Sequence, residues 1–214
     1  MCKFKTAIID WNGTALNDLR IVYESVRCIF ETYKLPPPTL REYQTEMSQE
    51  WMKFYTRHGI SEETEPGDLN KIRRAYLEAH WDDVALHEGL IEFLQLLREE
   101  QMKSFLVTGE IKEVVERRLQ QFYISDLFDK VVAGAYRKAE ILKAILEEFN
   151  LLPEETIYVD DDPFGILSAK ELGLVTIGMT HGYASTERIR AARPRLMTNH
   201  FSSVIGFVKA SVKV

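Results

Sequence analysis

The chain has 214 residues, 45% of them apolar and 11% aromatic, with 27 Lys+Arg against 33 Asp+Glu and a formal charge of −6. This length holds one domain, or one domain with an insert, and the aromatic content excludes a disordered tail. The acidic balance argues against a general nucleic-acid binder, and no apolar run approaches the ~20 residues that span a bilayer, so neither nucleic acid nor membrane is expected as a partner.

The apolar stretch inside the opening MCKFKTAIID is shorter than the ~7–15 residues of a signal-peptide core and reads as a first strand, Lys5–Asp10. Cys2 and Cys28, with no His or Cys partner nearby in the sequence, read as inert; together with the missing leader they lead us to expect a cytoplasmic protein. After Asp10 the alternation of strand and helix breaks. Residues 17–84 carry helical patterning alone, as in Ile21, Val22, Val26, Ile29 and Phe30, with loops at Leu35–Pro38 and Glu62–Asp68. Trp51, Phe54 and Tyr55 have helical spacing and read as apolar core of that insert.

From about residue 89 onward, strands and helices alternate again. The predicted strands are Ser104–Thr108, Lys130–Ala133, Thr156–Asp160, Val175–Gly178 and Leu196–Thr198, and helices such as Ile141, Leu142, Ile145, Leu146 and Phe149 lie between them. The expected architecture is α/β: a Rossmann-like parallel sheet over residues 1–16 and 85–214, with a small separate helical domain at 17–84. The histidines at 58, 80, 87, 181 and 200 lack metal-ligand spacing, and Arg188, Arg190, Arg193 and Arg195 read as a solvated helix face.

Four places carry chemistry. The first strand ends in Asp10-Trp11-Asn12-Gly13-Thr14, which sets a carboxylate at the carboxyl end of a parallel strand, where such sheets bind ligands. Gly13 permits close backbone approach, and Thr14 offers a hydroxyl and an N–H to an anion. A second strand ends in Thr108-Gly109-Glu110, Lys138 begins a helix, and Asp160-Asp161-Asp162 follow an apolar strand. Adjacent carboxylates repel unless something cationic sits among them.

In this order the four motifs strongly resemble the haloacid dehalogenase superfamily over nearly the full chain, most closely its phosphoglycolate-phosphatase-like branch, whose helical cap occupies the position of 17–84. The resemblance implies a Mg²⁺-dependent phosphatase acting on a small phosphorylated metabolite, as a monomer or homodimer. It implies Asp10 as the nucleophile, forming an aspartyl-phosphate. The metal would be held by Asp10, the backbone carbonyl of Asn12, Asp161 and, as a partial substitute, Asp162 or Asp160. Gly13, Thr14, Thr108, Gly109 and Lys138 would hold the phosphate.

Two positions depart from the family pattern. Asn12 stands where a general acid–base Asp is usual, and Gly165 where a further metal-site Asp is usual. Glu110 also places an acid beside the phosphate pocket. Three readings follow: a phosphatase helped by a good leaving group or by another acid such as Asp18; a carbon–phosphorus hydrolase of the phosphonatase type, which needs a cap lysine such as Lys34 or Lys53; or a non-catalytic binder of a phosphorylated ligand or a protein.

Overall fold

The first strand shows why the chain layers as it does. β1 (Thr6–Ile9) is buried along its whole length, and its alternate side chains face opposite ways. Ala7 and Ile9 enter one apolar cluster, with Phe93, Leu97, Phe201 and Val204; Ile8 enters another, with Phe105, Leu142, Ile145 and Tyr158. A strand apolar on both faces needs helices on both, which is the physical basis of a three-layer α/β fold.

A computed structural model, describing residues 4–211, has this form. After β1 come a short strand β2 (Leu16–Asn17) and four helices, α1 (Leu19–Thr32), α2 (Leu40–Glu46), α3 (Trp51–Arg57) and α4 (Pro66–Ala79). The chain returns through β3 (Ala85–Leu86) and continues as α5 (Leu90–Glu99), β4 (Lys103–Val107), α6 (Lys112–Gln121), β5 (Lys130–Val132) and α7 (Lys138–Glu148). It ends in β6 (Thr156–Asp160), α8 (Pro163–Glu171), β7 (Val175–Met179), α9 (Thr186–Ala192), β8 (Leu196–Thr198) and α10 (Phe201–Ala210).

The described strands form a six-stranded sheet in the order β5-β4-β1-β6-β7-β8, parallel throughout. β1 pairs with β4 on one side (Ile9↔Leu106) and β6 on the other (Ile9↔Val159). The chain builds outward from β1 in both directions, so the carboxyl ends of β1, β4 and β6 flank the crevice at which open α/β sheets take ligands.

α1 to α4 enclose a separate apolar cluster that includes Val22, Val26, Phe30, Tyr43, Phe54 and Leu69. As expected, Phe54 and Tyr55 belong to this cluster; Trp51 only packs against it and also faces the central cavity. Thr39 and Glu42 form a reciprocal capping box at the start of α2, satisfying backbone donors that the Leu35–Pro38 loop leaves open. The helices enter and leave through the antiparallel pair β2–β3 (Leu16↔Leu86, Asn17↔Ala85). Sequence patterning does not reveal these strands, because two residues carry no period.

Candidate active site

Asp10 lies just beyond β1, buried, with its N–H bonded to the Val159 carbonyl at 2.9 Å. Lys138, the first residue of α7, donates from Nζ to Asp10 Oδ1 and to the Val107 carbonyl at 3.1 Å. This lysine is therefore not a solvated helix-start residue: it ties the ends of β1 and β4 together. Thr108, just past β4, is buried; its Oγ1 donates to Asn12 Oδ1 at 3.4 Å and accepts from the Glu110 N–H at 3.1 Å. Asp10, Asn12, Thr108, Gly109 and Lys138 all line one cavity of about 1050 Å³ between the sheet and the four helices.

Asp10, Asp160 and Asp161 each place a carboxylate oxygen within 4.8 Å of the others. Asp160 accepts from the Tyr158 hydroxyl and, at 2.8 Å, from the Asp162 N–H. Asp161 accepts from the Thr14 hydroxyl and the Tyr183 N–H, both at 2.6 Å. A Cβ on Gly13 would meet Asp161 Oδ2 at 2.5 Å, and one on Gly182 would collide with the same carboxylate. Two glycines thus let the backbone close around Asp161. Asp162 serves differently from expectation: its side chain caps α8, accepting from the Phe164 N–H at 3.2 Å, and Asp160 takes its place in the cluster.

Burial pushes the Asp10 carboxyl up to about 7; Lys138 opposes the rise and Asp160 adds to it. Burial and the charges of Asp160 and Asp10 push Asp161 well above the usual range, and burial with Asp160 brings Asp162 to about 6. For Lys138 burial works against the charge, and Asp10 and Asp160 outweigh it, so the ammonium is held protonated. One ammonium cannot balance this many carboxylates. Three convergent hard oxygen donors with surplus negative charge, from Asp10, Asp160 and Asp161, suit a divalent cation.

The expected phosphate contacts of Gly13 and Thr14 are not available. The Gly13 N–H is bonded to Asp18 Oδ1 at 2.9 Å and the Leu16 carbonyl at 3.1 Å, the Thr14 N–H to the Trp11 carbonyl at 3.3 Å, and the Thr14 hydroxyl to Asp161. Among the described residues the N–H groups of Trp11, Asn12 and Gly109 have no acceptor. They are the backbone donors left for an anion at Asp10. Backbone donors carry no side-chain signature, so only the local chain path reveals those of Trp11 and Asn12.

Asp18 is a buried acceptor of three bonds: from Gly13 N, from Asn12 Nδ2 at 2.8 Å and from the Tyr183 hydroxyl at 2.7 Å. Those donors occupy both its oxygens, so Asp18 orients Asn12 and is not a spare acid. Tyr183, absent from the sequence reading, ties Asp18 to Asp161 through its two ends. The phosphonatase reading loses its amine. Lys34 is exposed, Lys53 pairs with Glu50 at 2.6 Å, and Lys138 is the lysine among the described cavity residues.

Two further expectations change. Arg188 is not a solvated residue: it lines the cavity and donates to the carbonyls of Gln44 (3.0 Å) and Met47 (2.7 Å), clamping α9 to α2. His87 and His181 are not scattered: their rings stack with centroids 3.4 Å apart beside β3, and His181 Nε2 lies 3.2 Å from the Thr14 carbonyl. Glu110 lines the cavity and accepts from the Ile111 N–H at 2.9 Å. Cys2 lies outside the described residues, and Cys28 is a half-buried free thiol. No helix among the described residues is long and apolar enough to cross a membrane.

A pyrophosphatase, PpaX, of Halalkalibacterium halodurans is 23% identical over 227 residues, covering 96% of this chain and 97% of that protein. A phosphoglycolate phosphatase of Mannheimia succiniciproducens is 23% identical over 221 residues, covering 96% and 99%. The crystal structure of a predicted phosphoglycolate phosphatase from Haemophilus somnus shares the fold, with a TM-score of 0.77 at 18% identity over 97% of this chain and 99% of that one. Residues 7–179 match the family described as haloacid dehalogenase-like hydrolase. With that match spanning most of the chain, and the fold in agreement with it, the protein belongs to the haloacid dehalogenase-like hydrolase family.

Proposed function

We propose that the protein is a Mg²⁺-dependent phosphatase of a small phosphorylated metabolite, in which Asp10 takes the phosphoryl group and water then removes it. The observation that supports this most is the buried Asp10–Lys138 pair set in one oxygen cluster with Asp160 and Asp161. The phosphatase and pyrophosphatase names of the two curated relatives agree with it.

In the first step an Asp10 oxygen attacks phosphorus, the bond from phosphorus to the leaving oxygen breaks, and that bond's electron pair stays with the leaving oxygen. Lys138 holds the nucleophile in line, and its charge offsets the charge gathered on the transferring group. The N–H groups of Trp11, Asn12 and Gly109 bond the phosphoryl oxygens, and the Thr108 hydroxyl turns from Asn12 to join them. A bound Mg²⁺ supplies neutralisation of phosphoryl charge. Asn12 has no proton to give, so the leaving oxygen takes its proton from water, and leaving groups that are stable as anions are favoured. In the second step water attacks the phosphorus of phospho-Asp10, releasing phosphate and restoring the carboxylate. With no side-chain base at position 12 this step is slow, and the phosphoenzyme accumulates.

The test is rapid mixing of the protein, Mg²⁺ and an aryl phosphate. The expected result is a burst of aryl alcohol, an acid-stable phosphoryl adduct on Asp10, and loss of both in Asp10→Asn. Asn12 also motivates a second reading, a phospholigand binder without turnover. Saturable phosphate binding with neither burst nor adduct would establish that reading in place of the first.

A further inference from the structure

The cavity above Asp10 is larger than catalysis on a small phosphate requires. Its ~1050 Å³ lies at the upper end of the ~300–1000 Å³ of sites that enclose drug-sized ligands. Its far wall, formed by the four helices, is apolar at Ile21, Val22, Trp51 and Leu77. Asn70, Arg74 and Glu78 of α4 are polar on that wall, as are three side chains drawn from three helices: Tyr43 of α2, Tyr55 of α3 and Arg73 of α4.

None of the three has its polar end satisfied within the protein. Tyr43 and Tyr55 are 4% and 3% exposed, yet among the described residues neither hydroxyl has a hydrogen-bond partner. Arg73 is half-buried and forms no ion pair or hydrogen bond with any described residue. The cavity-lining acid of α4, Glu78, is already taken by Arg117 at 2.9 Å. Burial pushes both phenols up, Tyr55 to about 12, and the Arg73 charge pulls against the rise in each. The two hydroxyl oxygens are not enclosed: each opens onto the chamber, as does the half-buried guanidinium, so an acceptor held there can reach all three. Arg73 brings the planar fork of donors that suits a carboxylate or phosphate.

We propose that Arg73, with the Tyr43 and Tyr55 hydroxyls, binds a second anionic group at the far end of an extended phosphomonoester whose apolar body lies along the chamber. The group is an oxyanion, either a carboxylate or a second phosphate. This rests on the phosphatase reading for the end at Asp10 and deepens it by naming the substrate class.

The test uses the full chain with Mg²⁺ and three homologous series: n-alkyl phosphates, O-phosphorylated ω-hydroxy carboxylates, and α,ω-alkanediol bisphosphates. The readout is the ratio of kcat/KM for an anion-ended compound to that of the alkyl phosphate of equal length. The ratio is expected to exceed ~10 at a preferred chain length and to fall ~10–100-fold in Arg73→Met, as loss of a charge-assisted bond predicts, with the change in KM. Arg73→Lys is expected to recover part of the ratio, and Tyr43→Phe and Tyr55→Phe to lower it to a smaller extent. Whichever anion-ended series leads identifies the oxyanion. A ratio near one in the parent, or one that Arg73→Met leaves within twofold, overturns the proposal.

Absence of turnover in every series would sink the phosphatase reading, and the proposal is then judged by binding. In Asp10→Asn, tryptophan fluorescence is titrated with the same compounds, Trp51 on the chamber wall serving as the reporter. Tighter binding of anion-ended compounds, lost on adding Arg73→Met, supports it; equal affinity across the series overturns it.

Discussion

Asn12 shows how one amide reshapes the chemistry around it. Its side chain is fixed at both ends, donating to Asp18 and accepting from Thr108, so the position is built to hold the loop and carries no transferable proton. Across aryl and alkyl esters, kcat/KM, which reports the first step, should therefore rise steeply with the acidity of the leaving alcohol. Asn12→Asp should raise kcat/KM for alkyl esters by ~10²–10⁴-fold, the usual worth of a general acid–base, and for aryl esters by much less; initial rates below KM on a graded ester series check this. Gly165 makes a second case. A Cβ there would collide with Asp160 Oδ2 and lie 2.9 Å from the Tyr158 hydroxyl, so the Asp160 carboxylate already fills the space a side chain at 165 would need. Gly165→Ala should cost ~1–3 kcal/mol of stability by overpacking, and adding Asp160→Gly should recover most of it, as a double-mutant cycle by urea denaturation will read. Asp10, Thr108 and Lys138 were legible because each ends a strand or starts a helix that patterning locates. The roles of Asp160 and Tyr183, and the open N–H groups of Trp11 and Asn12, were not, since they depend on contacts between distant segments and on backbone path.

Where the four-helix insert meets the sheet, two clamps face each other across the cavity. On one side Arg188 and Gln44 join α9 to α2, Gln44 Nε2 donating to the Gly182 carbonyl at 2.8 Å. On the other, the Trp81 ring contacts two guanidinium groups of α6, with Arg117 Cζ at 3.7 Å and Arg118 Cζ at 3.5 Å from its centroid. Cation–π contacts of this kind are worth ~0.5–2 kcal/mol each. Trp81→Ala should therefore favour an open arrangement, raising KM several-fold and quickening proteolysis within residues 17–86, which limited digestion with and without vanadate will report. The parallel strands were readable from short apolar runs alone. The Arg188 clamp was hidden because an arginine that bonds backbone carbonyls looks, in sequence, like its solvated neighbours Arg190 and Arg193.

Charge sets the response of the molecule as a whole. The Asp10 carboxyl rises from 3.8 to about 7 on folding, and Asp161 rises too, so the folded metal-free chain binds more protons than the unfolded one. Stability from these groups is full below pH 3.8 and declines as pH climbs through about 7. Mg²⁺ should reverse the decline. At a hundredfold excess over Kd it adds ~2.7 kcal/mol, a rise of ~5–10 °C in Tm, with a larger gain at pH 8 than at pH 5, measured by calorimetry with and without a chelator. His87 acts in the opposite sense. Burial and the adjacent His181 push it from 6.5 down to about 3, so its neutral form is favoured by folding and stability is lost as pH falls through that interval. His87→Phe should flatten the acid limb of the same Tm profile.

The paired strands β2 and β3 set the two ends of the helical insert directly opposite each other, Leu16 against Leu86. Cutting out everything between them and bridging the gap with a tight turn leaves the six-strand register and its buried layers without a single broken hydrogen bond in the ladder. An exchange of the insert that keeps Asp18, whose carboxylate holds Asn12 and Gly13, should leave the core site standing and bring it a different clientele of molecules.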